Sequence, residues 1–185
     1  MTQTVGKSQG LSPSLAIGAV ALAMGISGIV GLRSTPDPLH PRIRRWYKRL
    51  DKPDYTPPDP VFGAAWPILE TGLAYGGYKM LRSAPSPSRN TAVALWLATT
   101  AMIGGWTELF FGRRQLGASA IASGVMTATA AAYVATTARV DRPSAAAAVP
   151  LVGWLCFATL LAEKVWERNR SGRSNVSQLG DLSSS

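Results

Sequence analysis

The chain has 185 residues, 46% of them hydrophobic and 16% charged, and 19 Lys and Arg against 10 Asp and Glu give a formal net charge of +9. The length suits one domain. A single Cys and a single His exclude an internal disulfide and a cysteine or histidine metal cluster. The basic excess does not point to nucleic acid, because Lys and Arg flank apolar segments instead of forming a continuous stripe; anionic lipid headgroups suit that placement.

Residues 1–14 form a short polar N-terminal tail. Residues 15–32 are an uncharged apolar run, close to the ~20 residues that cross a bilayer. Lys7 ahead of it leaves a secretory signal as the competing reading. Residues 33–60 form a long first loop rich in Pro, Arg and Lys. Four further apolar stretches follow at 61–80, 91–111, 116–138 and 144–163, separated by short polar turns. Residues 169–185 are Ser-rich and polar and read as a disordered tail.

Five stretches of helical length without strand alternation predict an all-α membrane protein, a five-transmembrane-helix bundle over residues 15–168. Short connections after the first loop predict antiparallel neighbours. Small residues (Gly18, Gly25, Gly28 and Gly31, then Gly117, Ala120 and Gly124) suit close helix contacts within or between chains, with composition bias as the alternative. The first loop, the 112–115 turn and the tail together hold 13 Lys and Arg against 6 on the other side, which places the first loop on the cytosolic side.

Single residues add expectations. Cys156, inside an apolar run, reads as a small buried hydrophobe. His40, among prolines, reads as solvated. Glu108 stands near Arg113 and Arg114, which suits a local charge pair. Trp46, Trp96 and Trp166, near span ends, suit interfacial anchors. Glu70 lies one turn from Trp66 on one helix face, and an ionisable group there needs a cavity or a partner. A ligand contact and an interhelix bond remain equal readings of it.

Three ordered blocks carry a resemblance. The first is Trp46-Tyr47, Lys52-Pro53, Thr56-Pro57-Pro58 and Trp66. The second runs from Trp106 through Phe110-Phe111-Gly112 to Gly117. The third runs from Pro150 through Trp154 to Leu161, followed by Val165-Trp166. Over about residues 15–173 the chain resembles the translocator protein family, also known as tryptophan-rich sensory proteins or peripheral benzodiazepine receptors. The resemblance implies an integral, multi-pass membrane receptor or carrier, homodimeric, that binds porphyrins (protoporphyrin or haem), sterols and other lipids beneath its first loop. It implies no obligatory cofactor.

By that resemblance Trp66 and Trp154 wall the pocket, and Ala158 leaves space in it. Glu70, Tyr47, Tyr55, Pro57, Pro58, Phe62 and Trp106 complete the candidate ligand-binding set. Arg45, Lys48, Arg49 and Lys52, with Arg42 and Arg44, form a cationic rim for porphyrin carboxylates. Light-dependent protoporphyrin breakdown at Trp66 and Trp154 is the enzymatic alternative, and a scaffold with incidental binding is the second. Glu70, Ile103, Ala162, Glu163 and Tyr55 replace residues usual in the family, and Glu163 interrupts its sterol motif. The resemblance implies the mitochondrial outer membrane for a eukaryotic protein, with plastid, endoplasmic reticulum and bacterial membranes as alternatives.

Overall fold

The computed structural model describes residues 9–182, with side chains to Arg170; the first eight residues of the expected polar tail, and 183–185, lie outside the described residues. The described residues form helices α1 (Pro13–Leu32), α2 (Pro41–Arg49), α3 (Asp59–Arg82), α4 (Pro87–Thr107), α5 (Leu116–Thr137) and α6 (Arg142–Leu182), with a π-helical turn at Glu108–Gly112 extending α4. The helix starts are written in the sequence. Proline stands in the first turn of α1 to α4, where its missing N–H costs nothing. Ser12, Ser86 and Asp141 cap α1, α4 and α6 by accepting from the backbone N–H of Leu15, Arg89 and Ser144. The last helix continues as backbone into the segment that composition marks as a tail.

The helices close a ring in the order α1, α4, α5, α6, α3 and back to α1, while α2 lies across one end against the π turn. Four of the helical stretches, Pro13–Leu32, Pro87–Gly112, Leu116–Thr137 and Arg142–Arg170, are long and apolar enough to cross a bilayer. α3 has the length, 24 residues, but Glu70, Lys79 and its glycines dilute its apolar content. The ring turns large apolar side chains outward, among them Leu15, Ile26, Ile121 and Leu160. Against water that surface is costly; against acyl chains it is not.

Close approach of backbones holds the ring. A Cβ on Gly77 would fall 2.2 Å from the Trp96 ring, and the Trp96 indole N–H donates to the Leu73 carbonyl at 3.0 Å. Trp96 is 1% exposed, so it is a core residue between α3 and α4 and not the interfacial anchor that its place near a span end suggests. Gly104 likewise admits Ser27 of α1, whose hydroxyl donates to the Thr100 carbonyl at 2.6 Å. By contrast, Gly18, Gly25 and Gly28 meet nothing, so that stripe makes no contact within the chain. Cys156 is exposed, against the buried reading, because the opposite side of α6, with Leu151 and Leu155, carries the packing.

The basic loops gather at one end. The backbone N–H of Asp51 donates to the Asn169 side chain at 3.1 Å, the Asn169 amide returns a bond to the Asp51 carbonyl at 2.9 Å, and Arg168 pairs with the Asp51 carboxylate at 3.3 Å. The first loop, the turn after the π helix and the polar part of α6 therefore share a side, as the charge asymmetry requires.

Replacing Gly77 by Leu drives a side chain into Trp96, an overpacking cost of about 1–3 kcal/mol. The expected result is a lower midpoint of thermal unfolding in detergent, followed by Trp fluorescence, whereas Gly25→Leu leaves the midpoint unchanged.

Candidate functional site

An aromatic layer closes the end of the ring under α2. The π turn donates from the Arg113 N–H to the Glu108 carbonyl at 2.8 Å, and its extra residue turns both Phe110 and Phe111 toward α2. Trp46 meets Phe110 edge-on at 6.0 Å, and Tyr47 meets Phe111 at 5.4 Å. Trp106 stacks on Phe110 at 4.8 Å and donates its indole N–H to the Ser119 carbonyl at 2.9 Å. Lys52 fixes the exit of α2 by donating to the carbonyls of Tyr47 and Leu50 at 2.7 and 3.2 Å, with its ammonium 4.6 Å from the Tyr47 ring centre. Burial pulls the Lys52 ammonium below its usual range. Burial, helped by the Asp59 charge, pushes the Tyr47 phenol up.

From Lys52 the chain runs through Pro53 and Thr56, whose hydroxyl donates to the Pro53 carbonyl at 2.6 Å, and delivers Pro57 to the mouth of a cavity of about 550 Å³ between α3 and α6. Ala65, Ile68 and Leu69 line one wall, and Pro150, Gly153, Trp154 and Phe157 line the other. The lining is apolar. Ile68, 72% exposed, marks its open, outward side. Phe62 braces Trp154 edge-on at 5.5 Å, and Phe157 lies 5.7 Å from Trp154. The Trp154 indole N–H is buried and finds no acceptor among the described residues. Such a donor is costly to leave unmade. Pro150 lacks an N–H, as does Pro67 within α3, so each helix is missing one amide bond close to the cavity.

The sequence-predicted residues divide by place. Trp154 and Pro57 line this cavity, and Phe62 stands behind Trp154. Trp66 packs on the main core and does not line it; Ala158 is half-buried one turn beyond Trp154. Glu70 is half-buried and makes no interhelix hydrogen bond or ion pair among the described residues. Tyr47 and Trp106 belong to the aromatic layer. Tyr55 and Pro58 are exposed, Pro58 at the start of α3.

The expected cationic rim is dispersed. Lys52 turns back on its own loop, Lys48 is exposed, and Arg45 and Arg49 line a separate pocket with Arg42, Trp46 and Arg114. Glu108 pairs with Arg113 at 3.5 Å and accepts from the Ser34 hydroxyl at 2.5 Å, while Arg114 turns away to cover Trp46. His40 is bonded to Asp37 at 2.9 Å instead of being free in solvent. The wall residues Pro150, Gly153 and Phe157 on α6, like Ala65, Ile68 and Leu69 on α3, stand outside the set expected from the sequence. The α6 spacing around Trp154 is helical and was visible in the chain, but an apolar helix has several faces of that kind.

The chain matches the TspO/MBR family over residues 17–167. It is 31% identical to Translocator protein of Homo sapiens over 154 residues, which cover 82% of this chain and 89% of that protein. It is 32% identical to Translocator protein of Ovis aries over 136 residues, covering 70% of this chain and 78% of that protein. It is 28% identical to Tryptophan-rich protein TspO of Chlorobaculum tepidum over 154 residues, covering 81% of this chain and 95% of that protein. A match across most of the sequence, on a ring of apolar helices, makes the chain an integral membrane protein that belongs to the TspO/MBR family.

Proposed function

We propose that the chain is a membrane receptor or carrier that takes a flat, apolar ligand of the porphyrin or sterol kind into the cavity between α3 and α6, with α3 as the fifth span. The observation that carries the reading is a cavity of about 550 Å³ with an apolar lining, walled by Ile68 and Leu69 on one side and by Trp154 and Phe157 on the other. That volume lies within the roughly 300–1,000 Å³ typical of small-molecule sites. A planar ring packs against the indole face. The open side faces outward at mid-helix residues, so the ligand enters from the bilayer and not from water. Supporting α3 as a span, its 24 residues reach about 36 Å, and it fills the ring between α1 and α6.

No acid, base or nucleophile lines the cavity, so binding is what this geometry supports, not hydrolytic or transfer chemistry. A ligand carboxylate reaches water at the Pro57 end, where the basic first loop lies. The family resemblance supports the porphyrin reading, and the homodimer and the organelle are expectations carried by that resemblance alone.

Gly153 provides a clean test, because a Cβ there meets nothing within 4 Å and yet enters the cavity. Gly153→Leu is expected to leave thermal stability unchanged and to weaken quenching of Trp fluorescence by protoporphyrin in detergent by about tenfold, the scale of a filled apolar contact. Gly105→Leu, also in open space, is the control. Equal quenching in both variants would remove the cavity from the proposal.

Trp154→Phe keeps an aromatic ring against Phe62 and takes away part of the cavity wall. The expected effect is a two- to tenfold rise in the Kd for protoporphyrin, about 0.5–1.5 kcal/mol. Trp66→Phe, outside the lining, is expected to change Kd by less. The reverse order would place the ligand on the other side of α3.

A further inference from the structure

The four arginines beside α2 form a site of their own. Arg42, Arg45 and Arg49 recur at the spacing of one helix face, with Trp46 between them, and Arg114 closes the other side of a pocket of about 320 Å³. The Arg114 guanidinium lies 5.4 Å from the Trp46 ring centre. Among the described residues no carboxylate pairs with any of the four, and Arg45 uses only its Nε, on the Pro41 carbonyl at 3.3 Å. The nearby acids are engaged elsewhere: Glu108 by Arg113, Asp51 by Arg168 and Asp37 by His40. Four like charges around one pocket repel one another until an anion enters.

Arg114 is also the described non-glycine residue with a left-handed backbone, φ 56°. The position follows from the helix end, where the Gln115 N–H reaches back to the Leu109 carbonyl at 3.1 Å and demands that conformation of the residue before it. Glycine would sit there without strain, whereas a side chain with a Cβ is disfavoured there. The strained residue is the one that completes the pocket, which is where stored strain has a functional reading.

We propose that Arg42, Arg45, Arg49 and Arg114 bind the phosphate of an anionic lipid headgroup. Guanidinium forks from two sides of a cleft suit a phosphate with several oxygens better than they suit the edge of a ring. The lipid source follows from position. The pocket opens at the end of the ring where α1 and α4 stop and α5 starts, with the indole of Trp46 as its apolar wall, so it lies at headgroup depth beside the outward apolar faces. The site is independent of the cavity between α3 and α6 and shares no lining residue with it.

The test uses the full chain in detergent and calorimetric titration with dioctanoyl phosphatidic acid, dioctanoyl phosphatidylcholine and inorganic phosphate. Phosphatidic acid is expected to bind most tightly. Arg114→Gly removes the guanidinium while suiting the backbone, so it should weaken that binding about tenfold without lowering the unfolding midpoint. Arg45→Gln with Arg49→Gln should weaken it further. Arg44→Gln with Lys48→Gln removes the same charge from a part of α2 that does not line the pocket and should change it less than about twofold. Equal losses in the two double variants, or no loss in either, would overturn the site. Inorganic phosphate binding as tightly as the lipid would overturn the lipid assignment. Protoporphyrin quenching is expected to be unchanged in Arg114→Gly, which separates failure here from failure of the cavity.

Discussion

Acyl chains offer no hydrogen bonds and give helices no hydrophobic reason to associate, and that constraint governs the molecule. Every spanning backbone amide must be satisfied within its own helix, and contact between helices must come from packing. Hence the close approaches. Gly77 lets Trp96 lie flat against α3 while its indole N–H reaches the Leu73 carbonyl, and Gly104 lets Ser27 reach the Thr100 carbonyl. Each pairs a missing side chain with a satisfied polar group. The same constraint explains why large apolar side chains can face outward on α1 without penalty.

The end under α2 obeys different physics. Water is near, charges abound, and a soluble-protein style of packing appears. Aromatic edges meet faces, Lys52 caps carbonyls and lies over a ring, and the Asp51–Asn169 exchange ties the first loop to α6. The loop is thereby tied down, and its exit angle decides where Pro57 stands. Pro57 is the residue by which the first loop contributes to the apolar cavity.

What the chain discloses without coordinates depends on which physical signal is one-dimensional. Apolar runs are local, so five of the helices could be read directly, but α1, α3, α4 and α6 start two to four residues before those runs, at prolines and caps that an apolar pattern does not mark. The side on which the loops gather could be read from charge. The α2 helix inside the first loop was not seen, because its nine residues are too few and too basic for an apolar pattern to stand out. Neither could local signals say which indoles are structural. Trp96 stands near a span end like an anchor but is buried by a glycine on another helix. Trp66 and Trp154 carry equal motif weight and both pack on the main core, yet of the two only Trp154 lines the cavity. Glycine spacing divides in the same way: Gly117 lies against Trp166 and Gly31 against Thr107, while Gly18, Gly25 and Gly28 touch nothing within the chain.

The basic rim shows the deepest limit. A run such as Arg42-Ile43-Arg44-Arg45-Trp46-Tyr47-Lys48-Arg49 looks like one patch in the sequence. Folding it into α2 splits it by angle: Arg42, Arg45 and Arg49 go to one face, Arg44 and Lys48 stay outside the pocket which that face lines, and Trp46 and Tyr47 go down into the aromatic layer. Only then does Arg114, sixty-five positions after Arg49, arrive to complete the first set, through a turn whose backbone favours glycine. Charge that seemed to belong to the apolar cavity is thus gathered on a different pocket. On the proposed reading, an apolar cavity opening sideways needs little charge, since its ligand would arrive already dissolved in lipid, whereas the arginine pocket combines charge with the Trp46 ring.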